Sequence, residues 1–297
     1  MNAKLIEDVA AAVLYEGYLL YPYRASAIKN QQRWNFGVLY PRTYAEQQSG
    51  ADAWNMRTEC LLLATIDSTL SIRVRFLHLL ARTPDEQSCQ GAMEREIALP
   101  PIRMTTRTAR QRVAFPPLEN QQPVEAIVEV ETEHLPGDLY KIRVNISNTV
   151  ASSPSTREEA LLHSMVSTHT ILGVDQGEFV SLLDPPDELR ETAAACKNSG
   201  TWPVMVGEEG ERDAMFSSPI ILYDYPRIAP ESPGALFDGT EIDEILTLRI
   251  MTLTDEEKQA MGQADDRTRQ ILERTESMPA EQFMKMHGIL RNLQETQ

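Results

Sequence analysis

VEAIVEVETEHLPGDLYKIRVNISN, residues 124–148, is the stretch whose reading decides the fold. Ile127, Val128 and Val130 lead into Leu135-Pro136-Gly137-Asp138, and Tyr140, Ile142, Val144 and Ile146 alternate with polar residues on the way out. Proline presets φ at the first central position of a turn, and glycine supplies the positive φ that a type II turn needs at the second. Period-two alternation on both sides of such a turn predicts an antiparallel hairpin with one half-buried face.

The same pattern extends in both directions from the hairpin. Residues 56–66 and 69–81 are apolar, β-branched runs separated by Asp67-Ser68; the second sets Ile72, Val74 and Phe76 against Arg73 and Arg75, as a half-buried strand does. Residues 94–99 and 110–115 read as two more strands. Each is stopped by a double proline, which cannot donate to a ladder and places these strands at an edge or an end. Upstream, residues 34–40 alternate and stop at Pro41, predicting a first strand. Downstream, Ser155-Thr156-Arg157-Glu158 reads as a capping box, from which a helix should run through Leu161, Leu162, Met165 and Val166. A strand over 178–183, a short helix over 187–196 opened by Pro185-Pro186, and strands over 202–206 and 218–225 complete this region.

Helical patterning occupies both ends of the chain. Leu5, Ile6, Val9, Ala12, Val13 and Leu20 form a helical stripe over residues 4–20, ended by Pro22. After residue 230 the character changes, and three short helices are expected near 240–252, 255–275 and 279–293. The expected class is therefore α+β. It comprises a mainly antiparallel β-sandwich or barrel-like body with an N-terminal helix, an inserted helical segment and a C-terminal helical tail. The expected division is 1–230 for the body and 231–297 for an acidic helical element.

Composition narrows the functional classes. The three cysteines, Cys60, Cys89 and Cys196, form no CxxC pair, so neither a disulfide framework nor a cysteine zinc site is suggested. Glu7, Asp8 and Glu16 interrupt the first apolar run, which does not read as a signal peptide, and no uncharged apolar run of spanning length follows. A cytoplasmic protein without membrane insertion is expected. Net charge is −16, distributed unevenly: residues 1–115 hold 14 Lys/Arg against 11 Asp/Glu, leaving 14 against 33 for the rest. A field of that sign repels phosphate backbones and argues against nucleic acid as the partner.

No HExxH, GxSxG, GxxxxGK[ST] or GxGxxG occurs in the chain. No cofactor is expected, and no catalytic residue is assigned. His163 and His169 are the one pair of histidines close in sequence. On a helix, six residues turn them about 240° apart, so they share a metal only if the helix ends between them. His78, among apolar neighbours, reads as a core histidine. Arg103, Arg107, Arg110 and Arg112 cluster in a Thr-rich link between two strands; they can dock an acidic surface or pair with the acidic half of the same chain.

The densest run of recognition-type side chains is Tyr18, Tyr21, Tyr23, Arg24, Lys29, Asn30, Arg33 and Trp34. Tyr, Trp and Arg dominate binding hot spots, and they equally cover the end of a β-body. The block YEGYLLYPYRASAIKNQQRWNFG (15–37), together with FDGTEIDEILTLRIMTLTDEEK (237–258), resembles the uncharacterised accessory proteins encoded beside bacterial nickel–iron hydrogenase genes. That resemblance implies an accessory or assembly role for a metalloenzyme, with a hydrogenase subunit or maturation factor as partner, and carries over no catalytic residue. The resulting expectation is a non-catalytic protein that binds a protein partner. The alternative is a metal-dependent enzyme whose site, for instance around His163 and His169, is assembled from distant residues; a third reading is self-association through the C-terminal helices.

Overall fold

The computed structural model describes residues 3–14, 36–48, 52–81, 91–118, 120–227 and 273. All of these except Glu273 belong to one compact unit. Expectations for the 18–34 block and for the 231–297 element, Glu273 apart, lie outside the described residues.

The fold is α+β and mainly antiparallel. Among the described residues nine strands, β1 (Asn55–Leu79), β2 (Ala92–Ala98), β3 (Ile102–Arg103), β4 (Thr108–Phe115), β5 (Val124–His134), β6 (Leu139–Asn148), β7 (Val166–Val180), β8 (Trp202–Met205) and β9 (Ala214–Ser218), join in one sheet, ordered β4-β5-β6-β1-β7-β9-β8, with β2 and β3 also on β1. The decisive hairpin is present as β5 (Val124–His134) and β6 (Leu139–Asn148), in register from Ala126↔Asn148 to His134↔Tyr140. Gly137 has φ +78°, as the type II turn requires, and Leu135 N–H closes the loop on the Leu139 carbonyl at 2.8 Å.

The two runs expected at 56–66 and 69–81 are one strand, β1 (Asn55–Leu79). Asp67-Ser68, which separated them in the sequence, does not break the strand. It lies in a wide bulge where four residues of β1, 65–68, face only Gln176 of β7 (Val166–Val180). Ser68 Oγ accepts the Thr65 N–H at 2.9 Å and donates to the Gln176 carbonyl, so the side chain replaces the missing ladder bonds. β1 carries β6 along its first half and β3 (Ile102–Arg103) and β2 (Ala92–Ala98) along its second, with β7 on its other edge.

Among the described residues β4 (Thr108–Phe115) pairs only with β5 and is the end strand. Yet the rings of Phe115 on β4 and Phe76 on β1 meet edge to face, 5.4 Å between centroids. Two strands separate them in the sheet, so the sheet must curl over its own face. The enclosed core takes Cys60, Leu62, Ile72, Val74 and Phe76 from β1, Val128 and Val130 from β5, and Ile142, Val144 and Ile146 from β6. Of these, Ile72, Val74, Phe76, Ile142, Val144 and Ile146 are residues that alternation assigned to one face.

The opposite face of the β7 region is covered by α1 (Ala3–Leu14). Its stripe Ile6, Val9, Ala10 and Val13 packs on Ile171, Val204, Ala214 and Phe216, where β8 (Trp202–Met205) and β9 (Ala214–Ser218) follow β7. Glu7 on α1 reaches Arg73 at 2.6 Å and Arg75 at 3.0 Å, tying the helix to β1.

Several local expectations change. Within residues 36–40 only Leu39 makes ladder bridges, and Pro41 precedes a short helix, α2 (Arg42–Gln47), instead of ending a strand. The inserted helix, α3 (Arg157–Leu162), is capped by Thr156 with Glu159, one residue later than the sequence pattern placed the box. It stops at Leu162, where Ser164 Oγ turns back to the Ala160 carbonyl at 2.6 Å. The β-branched run that follows goes into β7. Asp187–Leu189 forms a 3-10 turn leading into α4 (Arg190–Ala194), close to the expected helix. The last strand, β9, ends where the expected 218–225 strand began. Among the described residues no helix is long and apolar enough to cross a membrane.

Candidate functional site

The outer face of β1, β6, β5 and β4 carries charged side chains in rows, because residues of like parity in register share a face. One row is Glu59, Arg143, Glu131 and Thr108; the next is Arg57, Asn145, Glu129 and Arg110. Arg143 donates to Glu59 at 2.7 Å and also to Glu131, while Arg57 donates to Asn145 at 3.0 Å and Arg110 approaches Glu129 at 3.1 Å.

Glu59 is the buried centre of this array, with its side chain 2% exposed. Lys141 Nζ lies 2.8 Å from its second oxygen, the Lys197 N–H donates to the same oxygen at 2.8 Å, and the Glu59 N–H donates to Asn198 Oδ1 at 2.7 Å. Burial alone would push the carboxyl up. The hydrogen bonds from Lys141, the Lys197 amide and Arg143 outweigh it and hold the pKa at about 2. The group is thus a fixed anion that locks residues 197–198 onto the sheet, not an acid poised to exchange a proton near neutrality.

Beside it opens a cleft of about 250 Å³ lined by Arg107, Thr108, Glu131, Thr132, Glu133, Lys141 and Arg143. The cleft reaches Thr108 at the start of β4, whose outward edge no strand takes among the described residues. Thr132 N–H donates to the Arg107 carbonyl at 3.0 Å, which sets the phase of the β4–β5 ladder. Arg107, Ala109, Gln111 and Val113 therefore turn their backbone groups toward β5, and Thr108, Arg110, Arg112 and Ala114 turn theirs away. The latter four side chains are exposed, while Ala109, Val113 and Phe115 pack partly against the core.

The arginine cluster noted in the sequence is split by the fold. Arg103 sits on β3 opposite Thr69, Arg107 enters β4, and Arg110 and Arg112 lie on its outer face. Among the described residues Arg110 pairs with Glu129, and the guanidinium groups of Arg103, Arg107 and Arg112 have no ion pair.

The two histidines raised as metal ligands are held by different carbonyls. His163, just past α3, bonds through Nδ1 to the Pro123 carbonyl at 3.1 Å. His169, on β7 and fully buried against Phe216, bonds through Nδ1 to the Ser167 carbonyl at 2.9 Å, and burial pushes its pKa down to about 4. Among the described residues no three His, Cys, Asp or Glu side chains are gathered as a metal would need. His78 is fully buried with Nε2 on the Gln122 carbonyl at 2.8 Å, and its Nδ1 has no partner among the described residues. The residues 18, 21, 23, 24, 29, 30, 33 and 34 lie outside the described ones.

Sequence reasoning did not find the Glu59 centre. Its only signal was that Lys141 and Arg143 alternate with Ile142 and Val144; which carboxylate they meet depends on pairing β6 with a strand some eighty residues earlier. No family model matches the chain, and no curated protein matches it.

Proposed function

We propose that this chain is a non-catalytic accessory or assembly protein that acts by holding a protein partner. The observation that supports the reading is the end strand β4, whose outward backbone groups are taken by no strand among the described residues and run along a basic, half-apolar edge. Exposed strand edges are templates for another chain, whereas the most strongly perturbed carboxylate of the described body is spent on structure. The resemblance of residues 15–37 and 237–258 to hydrogenase-associated accessory proteins makes a hydrogenase subunit or maturation factor the proposed partner. A cytoplasmic site of action accompanies that proposal.

Affinity purification of the tagged chain from its native cells, with cross-linking and mass spectrometry, tests the reading. A single protein recovered in stoichiometric amount, and lost on Tyr21→Ala or Arg24→Ala or on changes to β4, is the expected result. A chain that elutes alone, or one that carries stoichiometric zinc, iron or nickel by elemental analysis, contradicts it; the metal result transfers support to the enzyme reading.

A further inference from the structure

We infer that the outward edge of β4, taken by no strand among the described residues, receives an extended acidic segment of the partner as an added strand, with acidic and apolar residues alternating in that segment. This rests on the partner-binding reading and specifies its chemistry.

Backbone geometry supplies the first part of the argument. Thr108, Arg110, Arg112 and Ala114 each direct an N–H and a C=O away from β5, giving a ladder of eight hydrogen-bonding groups. Among the described residues no strand takes it. The same four residues expose their side chains on the outer face. A strand added here places every second side chain directly across from them and the intervening ones beside Ala109, Val113 and Phe115 on the core side.

Charge decides what that strand must be. Arg112 has no ion pair among the described residues, and Arg110, whose side chain is 60% exposed, is only partly engaged by Glu129. Carboxylates opposite the two arginines gain a cross-strand pair; a second copy of β4 paired antiparallel over the full ladder would bring Arg110 against Arg112, which is destabilising. Lys and Arg on an edge strand are also how proteins prevent indiscriminate pairing. The two roles are compatible: the charge that rejects self-pairing selects an acidic partner. The carboxylates behind the edge, Glu125, Glu129, Glu131 and Glu133, stand one strand further in, and Glu131 is already held by Arg143.

The test uses a fluorescein-labelled eight-residue peptide of alternating Glu and Val, with a Lys/Val peptide as control, titrated with the full chain and read by anisotropy. The Glu/Val peptide should bind and the Lys/Val peptide should not. Ala114→Pro removes one outward N–H without touching the β5 ladder and should weaken binding by about tenfold or more. The charge-reversing pair Arg110→Glu and Arg112→Glu should abolish Glu/Val binding and admit the Lys/Val peptide, with circular dichroism confirming the fold. If this pair does not fold, Arg112→Gln alone should weaken Glu/Val binding. No binding of the Glu/Val peptide, binding indifferent to Ala114→Pro, or a dimer paired through β4 each overturns the inference. A native partner still captured by the Ala114→Pro and charge-reversed proteins would leave the partner-binding reading standing and remove only the strand-addition account.

Discussion

Glu59 of β1 and Arg143 of β6 meet at 2.7 Å across adjacent strands, and the carboxylate is sealed beneath residues 197–198. Each partner satisfies the other where water cannot, so removing one strands the rest. An intact buried pair adds little net stability over apolar residues, but breaking one is costly because a bare charge remains.

Glu59→Gln should therefore destabilise the fold by about 3 kcal/mol at neutral pH. The folded pKa of about 2 lies below the ordinary carboxylate value of 4.5, so this stabilisation is present above pH 4.5 and lost as pH falls toward 2. Urea unfolding of both proteins at pH 7 and at pH 3.5 checks it. A difference that shrinks at the lower pH agrees; one that is constant or grows does not.

His169 gives a second acid dependence through the opposite charge. Burial against Phe216, with Arg75 nearby, holds its folded pKa at about 4 against an ordinary 6.5, so the unfolded chain takes the proton first. Stability should fall between pH 6.5 and 4, by about 3 kcal/mol at the lower end from this residue. In ring-resolved NMR spectra the His169 signals should stay those of a neutral imidazole from pH 8 to pH 5. A midpoint near 6.5 would contradict the burial.

Asn148 is a joint between elements distant in sequence. Its amide donates to the Leu39 carbonyl at 2.9 Å and the His163 carbonyl at 2.8 Å, and its Oδ1 accepts the Val150 N–H at 3.1 Å. Asn148→Ala should cost about 1–3 kcal/mol, measured as a lowered denaturation midpoint, because buried backbone groups lose their partner. An unchanged midpoint would show the joint to be dispensable.

Cys60 is fully buried in the core, and burial pushes its thiol pKa well above the ordinary value. Peptide mapping after iodoacetamide treatment of the native protein should find Cys60 unmodified and fully alkylated only after unfolding. Rapid native alkylation would mean that the core opens.

What the sequence disclosed was what local rules govern. The 124–148 hairpin was legible because Pro136-Gly137 and the alternation on each side are both local signals. Asp67-Ser68 separated two apolar runs in the sequence, yet β7 pairs on either side of it and keeps β1 continuous. Leu161, Leu162, Met165 and Val166 carry helical spacing, but Ser164 and the bridge of Met165 to Leu39 end the helix and hand the chain to β7. The Glu59 centre could not be read at all, because its partners arise from the register of β1 on β6. The β4 edge was half visible: the arginines were evident, but their separation onto two strands was not.

The claim that a partner strand docks on β4 is most directly tested by residue-resolved amide exchange of the full chain with and without the Glu/Val peptide. The amides of Arg110, Arg112 and Ala114 should exchange more slowly when the peptide is present, while those of Ala109, Gln111 and Val113, already bonded to β5, change little. Uniform exchange at all six positions with bound peptide, or protection confined to another surface, would contradict the account.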